Sequence, residues 1–379
     1  MQYVKALQIY LAFIVLISIS YGFLRMPSLR KIHHSRVMRK FSVITTFPIY
    51  YNDVYTVPLP KTHRFPMDKY RKVRRKVEES LEALSKEYKD KVFVDLRVSP
   101  LATYEEITTT HCPLYLSRYL RGDMSEKELR RIGFPWSLDG VRRTLSSVGG
   151  TVSAATFICS AKKTYMSSPE RNISSTDKKL FWSGHLAGGT HHAFYDRGEG
   201  YCIFSDIAVA ANVVRSHYPD IVKRILILDL DVHQGNGNAV LFRGREDVFT
   251  FSMHCASNYF SKKEESNLDI ELPAGCNDET YLSTLRYWLK KLKSEAGIFD
   301  LVFFQGGVDI LGGDRLGKLN LTQEGVSRRN NMVYEYVGQM NALLCITQGG
   351  GYPSDDNWSP VVNAHAGVYL DAYKYLCNL

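Results

Sequence analysis

Thirteen residues constrain this chain more than any others: Ile225 to Gly237, reading ILILDLDVHQGNG. Ile225, Leu226, Ile227, Leu228, Leu230 and Val232 form a nearly continuous apolar run, the pattern of a strand covered on both faces of a parallel sheet. Asp229, Asp231 and His233 interrupt it, and a period of two projects all three from one side. Unpaired buried charge is costly, so a bound cation is the simplest reason to gather them there. Gly235-Asn236-Gly237 then breaks the strand. The cluster therefore falls at the carboxyl end of a central strand, where open α/β sheets hold their ligands. A plain surface turn would explain the polar residues but not the apolar run before them.

Three further clusters repeat the pattern. Ala187-Gly-Gly-Thr-His-His192 sets two histidines after a glycine turn. Gly306-Gly-Val-Asp309 follows the apolar stretch Phe299–Gln305, and Gly349-Gly-Gly-Tyr352 follows Leu343–Gln348. A glycine turn alone is only a turn, but in a doubly wound sheet such strand ends share one rim. Asp231, His233 and Asp309 supply O, N and O donors, a set that suits a catalytic zinc with one position left open. Two carboxylates nearly cancel the charge of the ion, so a separate base is needed, and the pair His191-His192 offers one. Tyr352 can donate a hydrogen bond to a developing oxyanion.

Elsewhere, Met67, Tyr70, Val73, Val77, Leu81 and Leu84 predict an amphipathic helix after Pro66. Its other face, Lys69 to Lys76, reads as solvated. Val92–Leu96 predicts a strand. Val141–Ala161 predicts a helix in which Gly149 and Gly150 permit close packing, and Leu282 to Leu292 predicts another helix. The polar stretch Lys162–Lys179 reads as a surface insertion. Strands alternating with helices argue for an α/β chain whose parallel sheet is covered on both faces.

The formal charge of +9 is concentrated at one end. Residues 1–52 hold seven basic residues and no acid, which leaves 41 basic and 39 acidic groups in the remainder. That near-neutral body gives no support for direct nucleic-acid binding. The seven cysteines are scattered, without a CxxC pair, as reduced thiols would be. Ala6–Leu24 is free of charge over 19 residues, just long enough for a membrane span. A signal anchor, a secretory leader, an organelle presequence and a buried helix of the domain compete for this stretch. The expectation is a hydrophobic and basic leader or membrane anchor over 1–41 and a catalytic domain over 42–379. Membrane or organelle targeting follows from the leader; without it the cytoplasm or nucleus is expected.

The motifs GGTHHA, LDLDVHQGNG, GGVDILGGDRLG and GGGY, in this order and spacing, resemble those of the zinc-dependent histone deacetylases over residues 47–376. Asn236 and the stretch Asp196–Cys202 are most similar to class IV and its bacterial relatives. The resemblance implies the arginase/deacetylase fold, with a parallel sheet of about eight strands. It implies a zinc ion, or ferrous iron, on Asp231, His233 and Asp309. His192 would be general base and acid, with Asn236 at its distal nitrogen, and His191 the electrostatic partner. Tyr352 would polarise the carbonyl. Asp229 would orient His191 and, with Ser252, hold a structural potassium ion. Gly200 would accept the substrate amide through its carbonyl, while Tyr201 and Phe260 would line an acyl-lysine tunnel. The reaction expected is removal of acetyl or other acyl groups from lysine in proteins, histones among them. An acetylpolyamine deacetylase and a membrane-tethered, non-catalytic acyl-lysine binding protein are the alternatives.

Overall fold

The parallel sheet implied by the apolar runs is present in a computed structural model, which describes residues 48–377 apart from 61–62, 89–94, 168–180, 259–261 and 355–356. Its eight strands are β1 (Ile49–Tyr51), β2 (Leu96–Val98), β3 (Trp182–His185), β4 (Ile225–Asp229), β5 (Val248–Cys255), β6 (Leu268–Leu272), β7 (Leu301–Gln305) and β8 (Leu343–Thr347). They lie in the order β2-β1-β3-β8-β7-β4-β5-β6, and every pairing is parallel. This is the α/β architecture expected of the arginase/deacetylase fold.

Alternation along the central strands divides their side chains between two apolar cores. Leu226, Leu228, Val302, Phe304, Leu344 and Ile346 face one core, with the helices Lys69–Glu87, Asp278–Glu295, Gln323–Met340 and Ser359–Cys377. Ile225, Ile227, Leu301, Phe303, Leu343 and Cys345 face the other, with the helices Pro113–Arg121, Leu138–Met166 and Asp206–His217. Each such side chain taken from water contributes about 1.5–3 kcal/mol. The strands are apolar at consecutive positions because both faces are covered.

The elements differ from expectation in four places. First, the pivotal strand ends at Asp229 rather than Val232. Its next amides turn to carboxylates: Asp231 N–H donates to Asp229 Oδ1 (3.1 Å), Val232 N–H to Asp309 Oδ1 (3.0 Å) and His233 N–H to Asp231 Oδ1 (3.0 Å). Second, the helix predicted over 141–161 runs from Leu138 to Met166, started by Ser137, whose Oγ accepts Gly140 N–H (3.0 Å). Residues 162–166 of the expected insertion are therefore helical, and 168–180 lie outside the described residues. Third, the strand expected at 92–96 is found at Leu96–Val98, and 92–94 lie outside the described residues. Fourth, Lys69 is not part of the solvated face, being 1% exposed. It occupies the first turn, where the helix end points into the protein, whereas Arg71, Lys72, Arg75 and Lys76 are exposed.

Gly149 and Gly150 do permit close packing. A Cβ on Gly149 would strike the Pro100 carbonyl, and one on Gly150 the ring of His185. The leader, including 6–24, lies outside the described residues; among those described, no helix is long and apolar enough to cross a membrane. The described cysteines Cys112, Cys159, Cys202, Cys255, Cys276 and Cys345 are free thiols.

Candidate active site

The four polar clusters follow β3, β8, β7 and β4, four adjacent strands in the middle of the sheet. Because all run in parallel, their carboxyl ends deliver the clusters to one rim. Asp231, His233 and Asp309 are buried and offer one donor atom each within 4.8 Å of one another. His233 Nδ1 lies 3.2 Å from both Asp231 Oδ1 and Asp309 Oδ2, so one imidazole nitrogen and two carboxylates converge on a point. Burial and the neighbouring Asp231 push the Asp309 pKa up to about 7. Burial opposes charge on His233, yet its bonds to the two carboxylates hold its pKa near 10. Such a site needs positive charge, from a proton on His233 or from a cation.

Asp229 stands apart from this group, although a regular strand would have projected it alongside. Its Oδ2 lies 2.7 Å from His191 Nδ1. Burial works against a charged His191, but Asp229 and Asp231 outweigh it and raise its pKa to about 9. The adjacent ring is the opposite case. His192 Nδ1 lies 2.7 Å from Asn236 Oδ1, an uncharged acceptor that also receives Gly237 N–H at 2.9 Å. Burial, then the charges of His191 and His233, drive the His192 pKa well below its ordinary value. The neutral ring thus carries its proton on Nδ1, which makes Nε2 the basic nitrogen. Two neighbouring imidazoles, with centroids 4.0 Å apart and planes tilted by 45°, are set to opposite charge states by an aspartate and an asparagine.

Tyr352 is 9% exposed and lines the same cavity as His192 and His233. Burial, then Asp309 and Asp231, raise its pKa well above that of a free phenol, so it keeps its proton to donate. Its own amide donates to Asp314 Oδ2 (2.6 Å). The cavity is about 370 Å³, and Gly200 and Tyr201 line it. Tyr201 holds φ at 67°, a strained value for a side chain of its size, and its ring packs 4.9 Å from Phe65. Ser252 lies beside Asp229 in the β4–β5 register. Phe260 lies outside the described residues.

Several supporting residues went unnoticed in the sequence. Asp206, fully buried, accepts the amides of Gly189 (3.0 Å) and Thr190 (2.7 Å) and the hydroxyl of Thr151 (2.6 Å). It thereby fixes the turn that carries His191 and His192, in which Gly188 and Gly189 take φ of 75° and 77°. Gln305 Nε2 donates to the Gly189 carbonyl (2.8 Å) from the end of β7. Lys69 Nζ donates to the carbonyls of Gly351 (3.0 Å) and Gly349 (3.4 Å), bracing the turn before Tyr352. Asn258 Nδ2 lies 3.3 Å from His233 Nε2, the nitrogen that faces away from the two carboxylates. A glutamine closing an apolar strand was a readable signal. Asp206, next to a helix cap, looked only like a helix start.

The histone deacetylase domain profile matches residues 63–368, most of the chain. The chain belongs to the histone deacetylase family. An uncharacterized protein of Picosynechococcus sp. is 38% identical over 313 residues, which is 81% of this chain and 92% of that protein. Histone deacetylase 1 of Homo sapiens is 29% identical over 271 residues, covering 66% of this chain and 51% of the human protein. Histone deacetylase 2 of Arabidopsis thaliana is 30% identical over 174 residues, covering 45% of this chain and 44% of the relative. The chain thus spans about half the length of these named deacetylases. Membership supports a deacetylase hydrolase of a generally metal-dependent family, with its candidate metal site at Asp231, His233 and Asp309.

Proposed function

We propose that the chain is a zinc-dependent hydrolase that removes acetyl or other acyl groups from lysine side chains of proteins. One observation carries this reading: a buried O, N, O donor set opens, through His233, on the cavity that a neutral histidine and a protonated tyrosine also line. The donors fit the ion, since two buried carboxylates against one imidazole leave a cation to be supplied. A zinc ion held there supplies a Lewis acid that polarises the acyl carbonyl and makes water more acidic. His192 Nε2 takes the proton from the attacking water. Tyr352 donates its hydroxyl to the oxygen that becomes negative as the carbonyl carbon turns tetrahedral. His192 then returns the proton to the lysine nitrogen as the C–N bond breaks, releasing the amine and the carboxylate. His191, charged against Asp229, stabilises the negative charge that builds beside it. Gly200 would accept the substrate amide through its carbonyl, and Tyr201, with Phe260, would flank the lysine stem.

Asp229 and Ser252 are also proposed to hold a structural potassium ion, which the adjacency of a carboxylate and a hydroxyl across β4–β5 supports. Activity and melting temperature indifferent to replacing potassium by tetramethylammonium would contradict that assignment. Residues 1–41 are proposed to serve location, because they carry the uncharged run and the excess of basic residues. A chain lacking them that fails to fold would contradict the boundary. The activity itself is tested by offering the purified protein acetyl-lysine and longer acyl-lysine peptides beside acetylpolyamines. Turnover of the peptides is expected; turnover of the polyamines alone would overturn the protein-substrate reading.

A further inference from the structure

The mouth of the catalytic cavity carries charge of one sign. Arg64, Arg130, Arg131 and Lys318 line it, all exposed, and no aspartate or glutamate is among its lining residues. Arg315 belongs with them. Its guanidinium donates to the Arg64 carbonyl, and its backbone N–H donates to the Tyr352 carbonyl at 2.9 Å. Burial raises the Tyr201 hydroxyl, while Arg64 and Arg315 act against that rise, which places both cations beside the ring that lines the cavity.

These cations are largely uncompensated. Arg130 pairs with Glu126 at 3.0 Å, both highly exposed. Among the described residues, no carboxylate forms an ion pair with Arg64, Arg131, Arg315 or Lys318. Asp53 and Asp68 line the adjoining basin and are already engaged, by Arg74 at 2.9 Å and by Arg71 at 2.6 Å, while Asp314, buried beside Arg315, accepts the amides of Leu316, Gly317 and Tyr352. The body outside residues 1–52 has almost equal numbers of acids and bases, so this grouping is a local feature and not a reflection of overall charge.

The cations stand at the opening and not in its depth. Lys69, the buried lysine near Tyr352, is taken up by the Gly349 and Gly351 carbonyls. Among the described residues, Lys69 is the lysine lining the deep end and its ammonium is already taken, whereas residues on either side of the modified lysine would meet the rim.

We propose that the mouth selects acyl-lysine carried in an acidic stretch of polypeptide and discriminates against lysine-rich and arginine-rich segments. This rests on the deacylase reading and names the substrate class for that site. Like charges at an interface suppress the wrong partner and opposite charges speed the right one. A basic tail or a polyamine brings cations to a cationic rim; glutamates and aspartates beside the lysine bring the complement.

The test uses the full-length protein and three fluorescein-labelled acetyl-lysine peptides of equal length, flanked by glutamate, by serine and glycine, or by arginine. Affinity is read by anisotropy on the Tyr352→Phe protein, so that it does not depend on turnover; kcat/KM is read on the wild type. The acidic peptide is expected to bind about 10-fold or more tightly than the basic one at low salt. The gap should close near 1 M salt, where the screening length falls to about 3 Å. Replacing Arg131, Arg315 and Lys318 by glutamine together should bring the ratio toward one. Equal affinities, or tighter binding of the basic peptide, would overturn the proposal. Preferential binding of the acidic peptide without turnover of any peptide would leave the rim assignment standing and sink the deacylase reading instead.

Discussion

Asn236 Oδ1 lies 2.7 Å from His192 Nδ1, whereas the neighbouring His191 Nδ1 lies 2.7 Å from Asp229 Oδ2. The uncharged acceptor leaves His192 neutral, and burial with two nearby imidazoles drives its pKa well down. Asn236→Asp adds a carboxylate that favours imidazolium and should raise the His192 pKa, by about one unit if partly shielded. A base must be unprotonated to act, so the acid limb of kcat/KM should move to higher pH. His191 and His192 titrate as a pair, so the limb reports the pair. Profiles of both proteins between about pH 5 and pH 9, around the ordinary histidine value, decide it. An unmoved or lowered acid limb would show that residue 236 does not tune the base.

Tyr352→Phe keeps the ring against Phe65 and Tyr201 and removes only the hydroxyl. The interaction lost is one made as the oxyanion forms, so kcat should fall about 100-fold or more with little change in KM. A variant with near-normal kcat would remove Tyr352 from the chemistry.

Lys69 yields a prediction about stability. Burial lowers its pKa to about 8, against an ordinary value of 10.5. Between those values the unfolded chain binds a proton that the folded chain has released, so this group's contribution to stability rises with pH across that window. Lys69→Met removes the dependence. The stability of the wild type relative to the variant, from urea midpoints, should therefore climb by roughly 3 kcal/mol from pH ~7.5 to above pH ~10. A difference that stays flat would mean that Lys69 titrates like a surface lysine.

Much of this architecture was legible in the sequence. The apolar runs at 225–228, 301–304 and 343–346 could be read because both faces of each strand are buried. The candidate ligands and the histidine pair could be singled out because glycine turns follow those runs or carry the pair. Three things escaped for definite reasons. The strand end at Asp229 depends on two carboxylates, that of Asp229 itself and that of Asp309 beyond β7, capturing backbone amides, and the second is a tertiary effect invisible to periodicity. Lys69 has the spacing of a solvated face, and only the path of the glycine turn before Tyr352 brings carbonyls to it. Asp206 serves the histidine turn across a gap of about 16 residues, and a serine–aspartate pair at a helix start does not announce that role.

The most direct test of the metal site is metal removal read together with Asp309→Ala. Asp309 lies 76 residues beyond His233, yet its Oδ2 is 3.2 Å from His233 Nδ1. Full-length protein stripped with a chelator should lose turnover of an acetyl-lysine peptide and regain it with one zinc per chain. Asp309→Ala should neither retain stoichiometric zinc nor recover activity. Turnover that survives chelation, or an Asp309→Ala protein that holds zinc and works, would contradict the account.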